Sequence, residues 1–154
     1  MSVISATAPG RPSPRSVAWL GYGGLLPFVV LALLSVLDWA HGLWWGDALR
    51  AYGAIILSFV GAVHWGFAMT LPHLTLAQRE GCFIWSTVPA LLAWPALMFW
   101  PALATLLLVL GFIAHYWQDR RLAARANLPE WYLPLRLRLT AVACVCLLAG
   151  SGAG

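Results

Sequence analysis

The chain has 154 residues, of which 62% are hydrophobic and only 9% are charged. A soluble domain carries about 25% charged residues, so this composition excludes a soluble globular protein and predicts an all-α integral membrane protein. The net charge is +4, and its arginines stand at the ends of apolar runs, which indicates anionic lipid headgroups as the partner and not nucleic acid.

The N-terminal part of the chain is expected to be a flexible tail over residues 1–16, because it is rich in Pro, Ser and Ala. A single transmembrane helical domain is expected over residues 17–154. Its first span is predicted at 18–37, with a kink near Pro27. Residues 38–47 are expected to form a short loop whose tryptophans lie at the level of the lipid headgroups.

Four further apolar runs complete a predicted bundle of five transmembrane helices. These spans are predicted at residues 49–71, 82–100, 101–118 and 135–150. A polar hairpin is expected over 72–81, and a longer polar loop over 119–134, into which the preceding helix can extend by a turn or two. The third and fourth spans abut at Trp100 and Pro101, which predicts a tight antiparallel hairpin.

The distribution of arginine predicts the orientation. With five spans, the side that holds the N-terminus carries eight of the nine basic residues and the other side carries Arg50 alone. The positive-inside rule therefore predicts a cytoplasmic N-terminus and a C-terminus outside, in a bacterial inner membrane, or in the mitochondrial inner membrane of a eukaryote. Five of the eight form a cluster expected to contact headgroups or a partner protein: Arg120, Arg121, Arg125, Arg136 and Arg138.

Small residues recur along the second span and predict close helix packing, because small side chains let helix backbones approach in lipid. The packing positions are Ala54, Ser58, Gly61, Ala62 and Gly66. The three cysteines are interpreted as small packing residues and not as disulfide partners or metal ligands. They are Cys82, Cys144 and Cys146.

Two histidines at membrane depth, His64 and His115, form the core of a candidate ligand or proton site. They are expected in the same inner-leaflet layer because the second and fourth spans run in the same direction. Ionisable residues at that depth are costly and therefore indicate a function. The candidate site also includes Ser58, Trp65, Tyr116 and Asp119.

Four interpretations of the histidine pair stay open. Each ring can simply hydrogen-bond a neighbouring helix. The pair can line a pocket for a quinone or another apolar ligand, relay protons with Asp119, or ligate a haem iron. No cofactor and no metal is predicted.

The chain contains no nucleophile elbow, Walker loop, HExxH motif or paired carboxylates, and it has only five acidic residues. Hydrolase, kinase and metalloprotease chemistry is therefore not indicated. The leading hypothesis is a non-enzymatic accessory or assembly partner of a membrane complex. The alternatives are a membrane module that binds an apolar or tetrapyrrole ligand near His64 and His115, and a proton-linked carrier.

Three segments, GYGGLLPF (21–28), AYGAIILSFVGAVHWG (51–66) and DRR…LPEWYLPLRLRLT (119–140), resemble the domain of unknown function 3429 family, whose eukaryotic relatives include the mitochondrial transmembrane protein 69. The resemblance covers nearly the whole chain after the tail. It implies a small multi-spanning membrane protein and carries no assigned activity. Its motif positions are Pro27, Ser58, Gly61, Trp65, Gly66, Trp131, Tyr132 and Arg136. In architecture alone the chain is also similar to tryptophan-rich sensory proteins, which bind porphyrin and sterol-like ligands.

Overall fold

The computed structural model describes residues 14–72, 74–126 and 128–152, and every regular element in these ranges is an α-helix. The helices are α1 (Pro14–Gly23), α2 (Leu26–Leu37), α3 (Gly42–Thr70), α4 (Leu76–Ala96), α5 (Pro101–Ala123) and α6 (Tyr132–Ser151). Most of the predicted tail lies outside the described residues, and its last part, residues 14–16, belongs to α1.

Four helical segments of the described chain are long and apolar enough to cross a membrane, which confirms the prediction of a helical membrane protein. They are Arg15–Leu37, Gly42–Thr70, Pro101–Ala123 and Tyr132–Ser151. The helix α4 has 21 residues but is less apolar and is not among them.

The first membrane segment is interrupted between α1 and α2, just before Pro27. The predicted kink is therefore present, and it lies on the N-terminal side of the proline because the pyrrolidine ring has no N–H and clashes with the preceding turn. The hydroxyl of Tyr52 donates a hydrogen bond to the carbonyl of Gly24 at 2.9 Å. The break is thus tied to α3 by a side chain that satisfies an exposed backbone acceptor.

The first predicted loop is shorter than expected, because α3 begins at Gly42 and leaves only residues 38–41 outside the helices. Asp38 holds this turn, since its carboxylate accepts a hydrogen bond from the indole N–H of Trp45 at 3.0 Å. That bond keeps the pKa of Asp38 below its ordinary value, with a smaller contribution from His41.

The predicted polar hairpin over 72–81 is mostly helix, because a capping box starts α4 directly after Thr75. His73 lies outside the described residues. Arg79, in the first turns of α4, donates hydrogen bonds to the carbonyls of Ala68 and Leu71 at the end of α3. Its charge therefore caps the C-terminus of α3, where a cation is favourable.

The predicted hairpin between the third and fourth spans is a short turn over residues 97–100. It ends at Pro101, the first residue of α5, a position that tolerates proline because its N–H would be unpaired in any case. Two other prolines, Pro89 and Pro95, lie inside α4 without ending it. At its other end α5 continues to Ala123, which is the extension into the polar loop that the sequence predicts.

The helix α3 is central, since it packs against α2, α4, α5 and α6. Its buried face includes two of the predicted packing positions, Ala54 and Gly61, together with Gly53, Leu57, His64 and Ala68.

Two predicted packing positions, Ala62 and Gly66, are exposed. They lie on the opposite side because helical faces recur at 3.6 residues and a strict spacing of four drifts around the helix. The close contact is made by Gly61, where an added Cβ would lie 2.8 Å from the ring of Pro89 on α4.

Candidate functional site

A buried carboxylate stands at the centre of the site. Asp119 has no exposed surface and lies one helical turn after His115, so both project from the same face of α5. Two groups from α6 donate hydrogen bonds to it. The guanidinium of Arg136 donates from Nε to Oδ2 at 2.9 Å and neutralises its charge, and the hydroxyl of Tyr132 donates to Oδ1 at 3.1 Å. The negative charge is therefore compensated by a partner that is itself largely buried.

The two histidines predicted to share a layer are in contact, with ring centroids 4.8 Å apart and planes at 72°. Their Nε2 atoms both face the same carboxylate oxygen of Asp119, at 3.6 Å from His64 and 3.9 Å from His115. These distances are too long for direct hydrogen bonds.

Trp85 on α4 determines which ring nitrogen of His115 carries the proton. Its indole N–H donates to Nδ1 of His115 at 3.1 Å, and the two rings are stacked at 14°. Because an indole can only donate, Nδ1 must carry a lone pair, and the neutral ring holds its proton on Nε2. The Nε2 proton of His115 is therefore donated to the backbone carbonyl of Val60 on α3, and Nε2 lies 3.9 Å from the carboxylate of Asp119.

His64 is the unusual member of the site. It is fully buried, and neither Nδ1 nor Nε2 has a hydrogen-bond partner among the described residues. A neutral imidazole has one donor and one acceptor, and leaving them unpaired in an apolar interior is costly. Such a ring can bind a ligand, a water molecule or a proton, because the described residues supply no partner for either nitrogen.

These side chains come from four helices and are referred to below as the polar cluster. The polar cluster consists of His64, Trp85, His115, Asp119, Tyr132 and Arg136.

The polar cluster also contains a donor set that could hold a metal ion. The ligand atoms of His64, His115 and Asp119 lie within 4.8 Å of one another, and two histidines with one carboxylate suit a divalent transition metal. The bond from Trp85 opposes this use, because a metal at Nε2 of His115 would require both ring nitrogens to be unprotonated. The edge-to-face contact of the two rings likewise leaves no space for a haem between them.

The other residues of the predicted site lie away from the polar cluster. Trp65 is half exposed and contacts the ring of Phe83 at 4.8 Å. The hydroxyl of Ser58 donates to the carbonyl of Ala54 in its own helix. Tyr116 is half-buried and is one position from the face of α5 that carries His115.

The arginine cluster divides into two groups. Arg136 was predicted to contact headgroups, and instead it binds Asp119 inside the bundle. The other four are exposed: Arg120, Arg121, Arg125 and Arg138. The guanidinium of Arg121 lies 3.5 Å over the ring of Trp117, and Arg138 donates to the hydroxyl of Tyr22 at 3.4 Å.

Trp85 and the hydroxyl of Tyr132 belong to the polar cluster but are not among the site residues predicted from the sequence. Trp85 is one of ten tryptophans in the chain, so only the contact between α4 and α5 reveals its partner. Tyr132 could have been selected from the sequence, because it belongs to the LPEWY motif.

A family model described as a protein of unknown function (DUF3429) matches residues 13–151. Transmembrane protein 69 of Xenopus tropicalis is 38% identical over 142 residues, covering 89% of this chain and 54% of the relative. Transmembrane protein 69 of Mus musculus is 30% identical over 138 residues, covering 86% of this chain and 54% of that protein. The chain thus spans about half the length of these curated relatives. No solved structure matches it.

Proposed function

Because the chain belongs to the DUF3429 family, a family of proteins of unknown function, we propose from its own geometry that it takes up and releases a proton inside the membrane at the polar cluster. The observation that carries the proposal is His64, a fully buried imidazole whose two nitrogens have no hydrogen-bond partner in the described part of the chain, with a carboxylate oxygen at 3.6 Å. A protonated His64 would gain the attraction of Asp119, and the neutral ring would return the cluster to zero net charge.

The charges around His64 suit this exchange. On α5, Asp119 is negative, and the neutral ring of His115 lies 3.9 Å from it with its Nε2 proton held by the backbone of Val60. On α6, Arg136 is positive and Tyr132 is a neutral donor. On α4 only the indole of Trp85 takes part. The opposite charges of Asp119 and Arg136 cancel, so the polar cluster is neutral at rest. Binding of one proton therefore changes its net charge from zero to +1.

The same geometry supports five membrane spans. His64 and His115 lie in the C-terminal halves of α3 and α5 and their rings touch, so the C-terminal ends of these two helices face the same side. If both helices cross the bilayer, the chain between them must cross it in the opposite direction. The helix α4 lies in this segment, and its 21 residues span about 30 Å, the thickness of the hydrocarbon core.

The arginine count supports an N-terminus on the cytoplasmic side of an inner membrane. In this arrangement the polar cluster lies in the inner-leaflet half, close to the exposed arginines. The exposed arginines would contact anionic headgroups there.

Proton uptake can be measured in liposomes that contain the purified chain and a trapped pH-sensitive dye. An external acid step is expected to change the internal pH faster than in empty liposomes, and His64→Gln should return the rate to that of empty liposomes. His41→Gln is the matched control, because His41 lies in the exposed turn between α2 and α3. Equal rates for the native chain and His64→Gln would overturn the proposal.

A second candidate function, an accessory role in a membrane complex, is favoured by the exposed small residues of α3. Ala62 and Gly66 are one turn apart, and an added Cβ at Gly66 would meet no atom of the described residues within 4 Å beyond its own stretch of helix. Small residues left free on a membrane helix suit contact with a helix of another protein.

A photo-reactive amino acid at position 62 tests the accessory role in native membranes. We expect one defined cross-linked product from position 62 and none from position 110 on α5, where Leu110 is similarly exposed. The same lipid-only pattern from both positions would rule out a partner on this face.

A further inference from the structure

A cavity of about 220 Å³ lies at the end of the bundle where α4 begins and α5 ends. Its lining contains no member of the polar cluster. The first turns of α4 contribute Ala77, Gln78 and Gly81 to one wall, and α5 contributes Gln118 and Arg121 to the other. The cavity is therefore a second feature of the described chain, distinct from the proton site.

Two arginines, Arg121 and Arg125, line this cavity, and both are exposed. The guanidinium of Arg121 lies 3.5 Å over the ring of Trp117, a contact that uses none of its N–H donors. None of the described lining residues is acidic, and within the described ranges neither arginine forms an ion pair. The cavity thus carries two positive charges without a counter-charge.

The other polar groups of the cavity also suit an acceptor. The carboxamide oxygen of Gln78 accepts the backbone N–H of Thr75 at 3.0 Å, so its NH₂ group remains as a donor. The start of α4 adds the positive end of a helix dipole. Phosphate offers several acceptor oxygens with negative charge, and arginine binds it through two N–H groups at once.

The remaining lining is apolar. Leu74, Cys82 and Leu122 are buried and belong to a small apolar cluster with Ala68. An inorganic anion would leave these apolar side chains uncovered, whereas a phospholipid also brings glycerol and acyl carbons that can pack on them. A polar rim beside an apolar wall therefore fits a lipid better than a free ion.

We propose that this cavity binds one anionic phospholipid per chain, with its phosphate held by Arg121 and Arg125 and its glycerol against Leu74 and Leu122. The proposal narrows the general contact of the exposed arginines with headgroups, proposed above, to a single site. Basic pockets between membrane helices are known to hold lipid headgroups in this way. A zwitterionic lipid also has a phosphate, but its ammonium group would add a third positive charge beside the two arginines.

Titration of the full chain in detergent with phosphatidylglycerol tests the site, with bound lipid counted by native mass spectrometry. We expect one retained phosphatidylglycerol per chain and much weaker retention of phosphatidylcholine. Arg121→Gln and Arg125→Gln should each weaken binding about tenfold, the factor that corresponds to loss of a hydrogen bond between charged groups. Equal retention of the two lipids by the native chain would overturn the proposal.

Arg120→Gln is the matched control for the arginine variants. Arg120 is exposed and is the neighbour of Arg121, but it is not part of the cavity lining. Its replacement changes the net charge by the same amount and should leave lipid binding as in the native chain. An equal loss in Arg120→Gln and Arg121→Gln would show that only the overall charge attracts the lipid, and it would overturn the assignment to the cavity.

Gly81→Leu tests the position of the lipid without a change of charge. Gly81 follows Ala77 by four residues and Gln78 by three, so it lies between them on the cavity face of α4. An added Cβ there would meet no atom of the described residues within 4 Å beyond its own stretch of helix, so a leucine side chain would fill the cavity. Because leucine favours a helix over glycine, we expect lipid binding to be lost while the unfolding temperature does not fall. Native-like binding by this variant would overturn the proposal.

Inorganic phosphate distinguishes the two sources of a phosphate group. A large excess should not displace phosphatidylglycerol, because the free ion does not cover the apolar wall. Displacement would identify a free phosphate as the occupant and would overturn the assignment to a lipid. Binding in detergent depends neither on the orientation in the membrane nor on proton uptake, so failure here is distinguishable from failure of the proposed function.

Discussion

Replacing Asp119 by leucine is expected to destabilise the chain by about 3–5 kcal/mol, because it leaves a buried cation without its counter-charge. Arg136 is only 11% exposed and its Nε binds Asp119 at 2.9 Å. Its Nη2 has no other partner among the described residues. The free energy of unfolding in detergent, measured by denaturant or thermal titration, checks this value.

The double variant Asp119→Leu with Arg136→Met should recover most of that loss, because removing both charges removes the buried, unpaired ion. Glu130→Leu is the control for loss of a carboxylate, since Glu130 is exposed, and its effect should stay within about 0.5 kcal/mol. If the single and double variants had the same free energy of unfolding, Asp119 and Arg136 would not stabilise the fold as a pair.

Gly61→Ala is expected to destabilise the chain by about 1–3 kcal/mol, the range for overpacking of a close contact. The added Cβ would lie 2.8 Å from Cγ and 2.9 Å from Cβ of Pro89 on α4. A proline ring cannot rotate away, so the two helices must separate. At Gly111 and Gly150 the nearest atoms are the ends of leucine side chains, which can move, so alanine should be tolerated better there.

Gly66→Ala on the same helix is the matched control for Gly61→Ala. Outside its own stretch of helix, no atom of the residues that the structure describes lies within 4 Å of its added Cβ, and alanine favours a helix over glycine by up to about 1 kcal/mol. We therefore expect thermal unfolding in detergent to occur at a lower temperature for Gly61→Ala and at an unchanged or higher temperature for Gly66→Ala. The reverse order would show that α3 packs on α4 through a different face.

The sequence predicts the membrane class and the approach of His64 to His115. Hydropathy places four of the five predicted spans on helices that are long and apolar enough to cross a membrane, and two helices that run in the same direction put residues of similar depth in one layer. The helix boundaries are less well predicted, because an apolar run ends where the side chains become polar, whereas the helix continues beyond that point. The capping box at Thr75 and the extension of α5 to Ala123 both lie in segments that are polar but helical.

The sequence does not predict which side chains pair with the charged residues of the site. Arg136 stands among headgroup-level arginines, and only the packing of α6 on α5 directs it inward to Asp119. Trp85 is one of ten tryptophans, and its role depends on a contact between α4 and α5 that spans 30 positions in the chain. Pairings of this kind depend on helix rotation, which a weak amphipathic pattern leaves undetermined.

The cap that Arg79 makes on α3 has a consequence for biogenesis. A helix as weakly apolar as α4 would partition poorly into lipid if it left the translocon alone, and a free arginine at its start would add to the cost. In the proposed arrangement of five spans, the hydrogen bonds from Arg79 to the carbonyls of Ala68 and Leu71 would let the two helices enter the bilayer as one hairpin in which that charge is already satisfied. We therefore expect α3 and α4 to be integrated together, as a single cotranslational step.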